Sequence, residues 1–358
     1  MKKIIAMLLA LVMVFALCAC GAKEEPAAAP AEAPAAAPAE TPAEAPADAA
    51  TYEYPEMTIQ FAHVNAIDQP IGVAVDKFAK LINERSGGKI TIDVYPASSL
   101  YDQNGIYDAL SLDNLDMGIG DVSGISNTIP AYGLYALPML YDSYDTMAKI
   151  VDGEVGAALD AMLPEGMNAY ALGWGWNGFR NMVTNDPITC SADCKDYLLR
   201  SPDIQLYLDT FHTLGFATVT CAWGDCFTAM QSGLVNGVET TTEAIYTQGF
   251  YTVGNNVCVS HHMLSIIGPM INANLWESMD EQTQKLFKDT WMEVREEWNA
   301  EVIAGEEKYL NLLEEAGANI TYLEDADYIT ELFTPMWEEY AKNGGYEDLL
   351  AQAIACMG

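Results

Sequence analysis

Ser86-Gly87-Gly88-Lys89-Ile90-Thr91-Ile92-Asp93-Val94-Tyr95-Pro96 sets a helix stop directly before an alternating strand. Two glycines in succession end a helix because they alone enter left-handed backbone without a steric penalty. Ile90, Ile92 and Val94 then alternate with polar residues, the pattern of a half-buried strand closed by Pro96. Outward toward the N-terminus, Val75, Phe78, Ala79 and Ile82 share one helical face, and Ile59 and Phe61 begin a strand before them. Toward the C-terminus, Ile106 to Leu112 reads as a helix and Met117-Gly118-Ile119-Gly120 as a strand. This βαβα succession predicts α/β layers with a mostly parallel sheet.

The pattern restarts later in the chain. Tyr197 to Arg200 and Thr218 to Cys221 read as strands, each followed by a helix, at Gln205 to Leu214 and Asp225 to Ser232. Phe287, Trp291, Val294, Trp298 and Val302 mark one apolar face of a long helix, and its tryptophans belong to a core. Two α/β units with a long helix running between them predict a two-domain hinged fold of mixed sheets flanked by helices.

The first residues carry another signal. Lys2 and Lys3 precede the apolar run Ile4 to Leu17, which is short for a bilayer span, and small residues lead to Cys20-Gly21. Leu17-Cys18-Ala19-Cys20-Gly21 is similar to a bacterial lipobox, so residues 1–20 are expected to be a signal peptide with Cys20 as the lipidated residue. Residues 21–51 are nearly all Ala, Pro and Glu, and are expected to form a disordered tether that holds the body from Tyr52 onward away from the membrane.

The chain has 358 residues and a formal net charge of −35, which becomes −37 if a leader carrying Lys2 and Lys3 is removed. Such a body is repelled by nucleic acid and anionic lipid, and any anion it binds needs local, buried positive charge. Lys and Arg together number only 16, so each internal arginine is informative. Beyond Cys18 and Cys20, the cysteines are Cys190, Cys194, Cys221, Cys226, Cys258 and Cys356, at spacings of no zinc ribbon or redox motif. Cys190/Cys194 and Cys221/Cys226 can each close a small loop or remain free thiols. His63, His212, His261 and His262 show no metal-ligand spacing, though His63 follows a strand near the expected cleft. No Gly-x-Ser-x-Gly elbow or Walker loop is present, and Asp102-Gln103-Asn104-Gly105 lacks the other calcium-loop ligands. No cofactor and no metal are expected.

The order and spacing of several segments resemble the substrate-binding proteins of TRAP transporters. They are Phe78-Ala79-Lys80 with Ser86-Gly87-Gly88-Lys89-Ile90, Tyr95-Pro96, Ser99-Leu100, Ala136-Leu137-Pro138, Trp176-Asn177-Gly178-Phe179-Arg180 with Asn185, Leu199-Arg200-Ser201-Pro202, Ala229-Met230-Gln231-Ser232-Gly233 and Asn236-Gly237-Val238-Glu239. The resemblance covers the whole body. It implies a periplasmic-binding-protein-like fold, with residues 52–177 plus 266–305 as one domain and 178–265 plus 306–358 as the other. It also implies a lipoprotein that captures a small organic acid and delivers it to integral membrane TRAP subunits without catalysis.

By the same resemblance, Arg200 forms a bidentate salt bridge with the ligand carboxylate, the geometry a planar guanidinium suits and an ammonium does not. Arg180 is implied to touch the ligand or a domain-bridging carboxylate. The family's Gly-Gln-Glu-Asn reads Gly237-Val238-Glu239-Thr240 here, so Glu239 is retained and Thr240 replaces the asparagine that braces the carboxylate. Trp223 stands where a Phe often lines the site. Trp174 and Trp176 share one face if their segment is a strand, and either fits the site or the core. Asn65 and Asp121 occupy ligand-facing polar positions, and an acidic Asp121 favours a hydroxyl or ammonium and repels a second carboxylate. A monocarboxylate with an apolar or aromatic portion is the expected ligand. The other classes weighed are a cell-surface enzyme using paired carboxylates and a receptor that presents its ligand to a sensor kinase.

Overall fold

A computed structural model describes residues 52–357, so the expected signal peptide with Cys20 and the tether 21–51 lie outside the described residues. Strand β1 (Met57–Ala62) leads to helix α1 (Pro70–Arg85), whose first turn accommodates a proline that has no N–H to lose. Ile71, Val75, Phe78 and Ile82 of α1 are buried, and Gly87 and Gly88 adopt φ of 66° and 79° at the stop. Strand β2 (Ile90–Tyr95) pairs parallel with β1. Helix α2 (Gln103–Ser111) follows, with Asp102 as its N-cap accepting from the Gly105 N–H. The acidic turn at Asp102 is therefore a helix start. Strand β3 (Met117–Asp121) pairs parallel with β1 and runs into the short helix α3 (Val122–Ile125).

The middle of the chain adds α4 (Tyr144–Val151), α5 (Glu154–Asp160), α6 (Leu163–Met167), β4 (Ala169–Ala171) and the long strand β5 (Gly175–Thr184). The second α/β unit comprises β6 (Leu198–Ser201), α7 (Gln205–Leu214), β7 (Ala217–Thr220), α8 (Cys226–Gln231), β8 (Gly237–Thr241) and α9 (Thr242–Thr247). Strand β9 (Asn256–Asn272), α10 (Ala273–Ser278), α11 (Glu281–Glu315), β10 (Asn319–Tyr322), α12 (Ala326–Gly344) and α13 (Glu347–Met357) complete the described residues.

The two α/β units share one mixed sheet of order β2-β1-β3-β9-β5-β8-β6-β7, with β4 and β10 also pairing with β9. The parallel strands lie toward the two ends, and β9 and β5 join them. β9 pairs antiparallel with β3 through Met117↔Ile271 to Asp121↔Ile267, while its other half pairs parallel with β10. β5 lies between β9 and β8 and shifts register against β9 at Trp176/Gly178 and again at Arg180/Met182. Such bulges bend a strand and increase its twist, which suits two lobes that diverge from a common pair of strands.

Helix α11 has 35 residues and, at 1.5 Å per residue, spans about 50 Å. Asp280 caps it by accepting from the Thr283 N–H at 2.9 Å. Phe287, Trp291, Val294 and Trp298 bury the expected face, in a core with Phe78 and Phe61 of the first unit. Further along, the helix packs on α9 and β10 of the second. It runs unbroken through Gly305, where the sequence reading placed a domain boundary. Helix α13 likewise packs on α4 and α5, although residues 306–358 were expected to belong with the second unit. The described residues 52–357 form one compact unit. No helix among the described residues is long and apolar enough to cross a membrane.

Candidate functional site

Parallel strands gather their C-terminal ends along one edge of each unit, and ligands of open α/β sheets bind outside such ends. A cleft of about 330 Å³ lies there, within the size of small-molecule sites. From the first unit its wall receives Val64, Asn65, Ser98, Asp102, Gln103 and Asp121. The second unit supplies Arg200, Asp203, Tyr207, Cys221, Trp223 and Thr240, and β5 contributes Asn177 and Arg180 between them.

Arg200 sits at the end of β6 and is 4% exposed. Its Nε and Nη2 donate to the Cys221 carbonyl at 3.2 and 2.7 Å, and the guanidinium carbon lies 5.9 Å from the centre of the Trp223 ring. Those bonds occupy one edge of the fork and fix its orientation. The Nη1/Nη2 edge is left for two parallel bonds to an anion, the arrangement a carboxylate matches. Trp223 also packs on Phe250 at 5.7 Å, and Thr240 adds a hydroxyl to the same wall.

Arg180 is differently employed. Its Nε and Nη2 donate to Glu239 Oε2 and Oε1 at 2.5 and 2.7 Å, and its guanidinium lies over the Tyr207 ring at 5.1 Å. Burial opposes the ionised Glu239 carboxyl, but Arg180 and the nearby His262 outweigh it and hold the group below the usual carboxylate range. His262 Nε2 lies 3.4 Å from Glu239 Oε2, and its Nδ1 pairs with Ser260 Oγ at 2.7 Å. Burial lowers the pKa of His262 more than its carboxylate neighbour raises it. The charge of Arg180 is thus largely spent within the protein.

Asp121 ends β3 and caps α3, where its Oδ1 accepts from the Ser123 N–H at 2.9 Å and from the Ser123 hydroxyl. Burial raises its pKa, against the opposing pull of Ser123 and Arg180. Across the cleft, Ser123 Oγ reaches Tyr207 Oη at 3.5 Å, and Asn127 Nδ2 donates to the Asp203 carbonyl at 3.0 Å.

Of the residues expected at the site, Arg200, Arg180, Trp223, Thr240, Asp121 and Asn65 therefore share one cleft. Trp176 and Glu239 are not on its wall. Beside the register shift, the Trp176 indole packs toward Tyr144, 6.0 Å between ring centres, while the Trp176 backbone N–H donates to Asn299 Oδ1 of α11 at 2.8 Å. Asn177 takes the cleft position instead. Glu239 is fully buried between Arg180 and His262. Trp174 is also core, its Nε1 donating to Asp160 Oδ1 at 2.7 Å. His63 is buried away from the cleft wall. Tyr207 escaped sequence reasoning because it lies on the buried stripe of α7; its place just after Arg200-Ser201-Pro202 was the available signal. The six body cysteines are free thiols. Among the described residues no cluster of His, Cys, Asp and Glu could hold a metal ion.

A bridged sheet with an arginine-floored cleft between its units defines a binding protein for a small solute. Residues 61–343 match the bacterial extracellular solute-binding protein family 7, also called DctP, and the chain belongs to that family. The C4-dicarboxylate-binding protein DctB of Bacillus subtilis is 29% identical over 245 residues, covering 68% of this chain and 69% of that protein. The C4-dicarboxylate-binding periplasmic protein DctP of Vibrio cholerae is 25% identical over 311 residues, covering 86% and 93%. Among solved structures, a TRAP periplasmic solute-binding protein of Ralstonia eutropha with bound (S)-2-acetolactate superposes with a TM-score of 0.79 at 26% identity, covering 84% of this chain and 98% of that one. The sugar-acid-binding protein DctPAm of Advenella mimigardefordensis, with galactonate, gives a TM-score of 0.80 at 23% identity, covering 85% and 99%. The TRAP resemblance and the hinged binding-protein fold expected from sequence are borne out, and the family is extracytoplasmic.

Proposed function

We propose that this protein captures a small organic acid outside the cytoplasm and hands it to the membrane subunits of a TRAP transporter, with no covalent step. The observation that carries this reading is the fork of Arg200, pinned along one edge by the Cys221 carbonyl and open along the other inside a buried cleft. A hydrogen bond to a charged group contributes roughly 1.5–3 kcal/mol, so a two-bond clamp dominates the affinity of a small ligand. The two lobes, 52–177 plus 266–305 and 178–265 plus 306–358, close over the bound acid about β5 and β9, which removes water and strengthens the ion pair. Trp223 and Thr240 favour a monocarboxylate with an apolar or aromatic portion. Cys20 carries the lipid that anchors the chain, and residues 21–51 are its tether.

A thermal-shift and calorimetric panel of dicarboxylates, sugar acids, keto acids and aromatic acids tests the reading. A ligand at a hundred times its dissociation constant stabilises the fold by about 2.7 kcal/mol. The shift should vanish in Arg200→Ala and be weakened at least tenfold in Arg200→Lys, which keeps the charge but loses the fork. A ligand bound equally well by Arg200→Ala sinks the assignment. Incorporation of labelled fatty acid into the native chain, lost in Cys20→Ser, tests the anchor.

A further inference from the structure

The charges on the cleft wall do not suit a dianion. Asp102, Asp121 and Asp203 line it, against Arg180 and Arg200. Arg180 is already neutralised by the buried Glu239, which leaves Arg200 as the uncompensated guanidinium on the wall among the described residues. One carboxylate on Arg200 therefore uses up the positive charge that the cleft offers.

Asp121 presents to the cleft one carboxylate oxygen that the described residues leave unpaired. Its Oδ1 is saturated by the N–H and hydroxyl of Ser123. Its Oδ2 accepts no hydrogen bond from the described residues, although the side chain lies on the cleft wall at the end of β3. A carboxylate enclosed in a closed cleft with one oxygen unmatched is costly unless the ligand pairs it. A second ligand carboxylate would meet like charge there. A hydroxyl satisfies the oxygen but leaves the acidic wall uncompensated, whereas an ammonium answers both the free acceptor and the excess of negative charge.

Resting on the reading of Arg200 as the carboxylate clamp, we propose that the ligand is a zwitterion. Its carboxylate pairs with Arg200 on the second unit and its ammonium with Asp121 on the first. The two units then hold opposite ends of one molecule, so that the ligand itself bridges the cleft.

Isothermal titration of the full chain with length-matched sets decides the matter. 4-Aminobutyrate is compared with 4-hydroxybutyrate and succinate, 6-aminohexanoate with 6-hydroxyhexanoate and adipate, and L-leucine and L-phenylalanine with their 2-hydroxy acids. The expected result is that in the best-binding set the amino acid binds at least tenfold more tightly than its partners. Asp121→Asn should abolish that preference, since asparagine can still cap α3 but lacks the charge. Arg200→Ala should abolish binding of every member. A dicarboxylate or hydroxy acid that binds best, and depends on Arg200, overturns the zwitterion and leaves the carboxylate receptor standing. Binding indifferent to Arg200, or silence across all sets with the protein folded, overturns both.

Discussion

At the scale of single residues, the buried ionisable groups are set by what faces them. Glu239 stays charged because Arg180 and His262 outweigh its burial, while His63, fully buried, has its pKa pushed down to about 4 by desolvation. Between pH 6.5 and about 4 the unfolded chain protonates His63 and the folded protein does not. Stability therefore rises with pH across that window, by roughly 3 kcal/mol for this group, and is lost on acidification. Urea unfolding at pH 7 and pH 4.5 should show a smaller loss for His63→Gln than for the wild type. Which arginine binds ligand is also a residue-level matter. Sequence gives Arg200 the carboxylate clamp and leaves Arg180 between ligand and a protein carboxylate, and the partners decide the second: Arg180 is spent on Glu239, while Arg200 is held by a carbonyl that carries no net charge.

At the scale of elements, local pattern was a good guide. The stop at Gly87-Gly88, the alternation of β2 and the apolar face of α11 each lie where the sequence puts them, because propensity, periodicity and burial agree there. Bulges were less legible. Gly178 is the one local mark that β5 slips register beside Trp176, and it does not say which way the neighbours turn; with the slip, Trp176 lies in the core and Asn177 on the cleft. Gly178, at φ +120°, holds the slip in a conformation that residues with a side chain rarely adopt. Gly178→Ala should cost about 1–3 kcal/mol in urea unfolding and disturb ligand binding with it. An unchanged midpoint would show that the strand relaxes freely at this point.

For the whole molecule, charge is the dominant long-range term. A formal net charge of −35 repels itself in the compact state and repels an approaching anion. Raising NaCl from 10 to 300 mM takes the Debye length from about 30 Å to less than 8 Å. The unfolding midpoint should rise with salt, and the association rate of an anionic ligand should rise too. The association rate of a zwitterion should change little. Stopped-flow measurements across that salt range therefore test the ligand's charge independently of affinity.

The sequence by itself determined the α/β alternation, the long helix, the family and the arginine at the end of β6, because each is written in short-range periodicity or in residue types at fixed spacing. Tertiary structure alone decided that the two α/β units share one sheet through β5 and β9, that α13 returns to α4 and α5, and that Glu239 is a buried counter-ion. It also decided that Tyr207 and Asp203 face Asp121 and Asn65 across the cleft. Those facts depend on which distant strands pair and which side chains meet across the sheet, and residues far apart in the chain carry no local mark of the partner they will find.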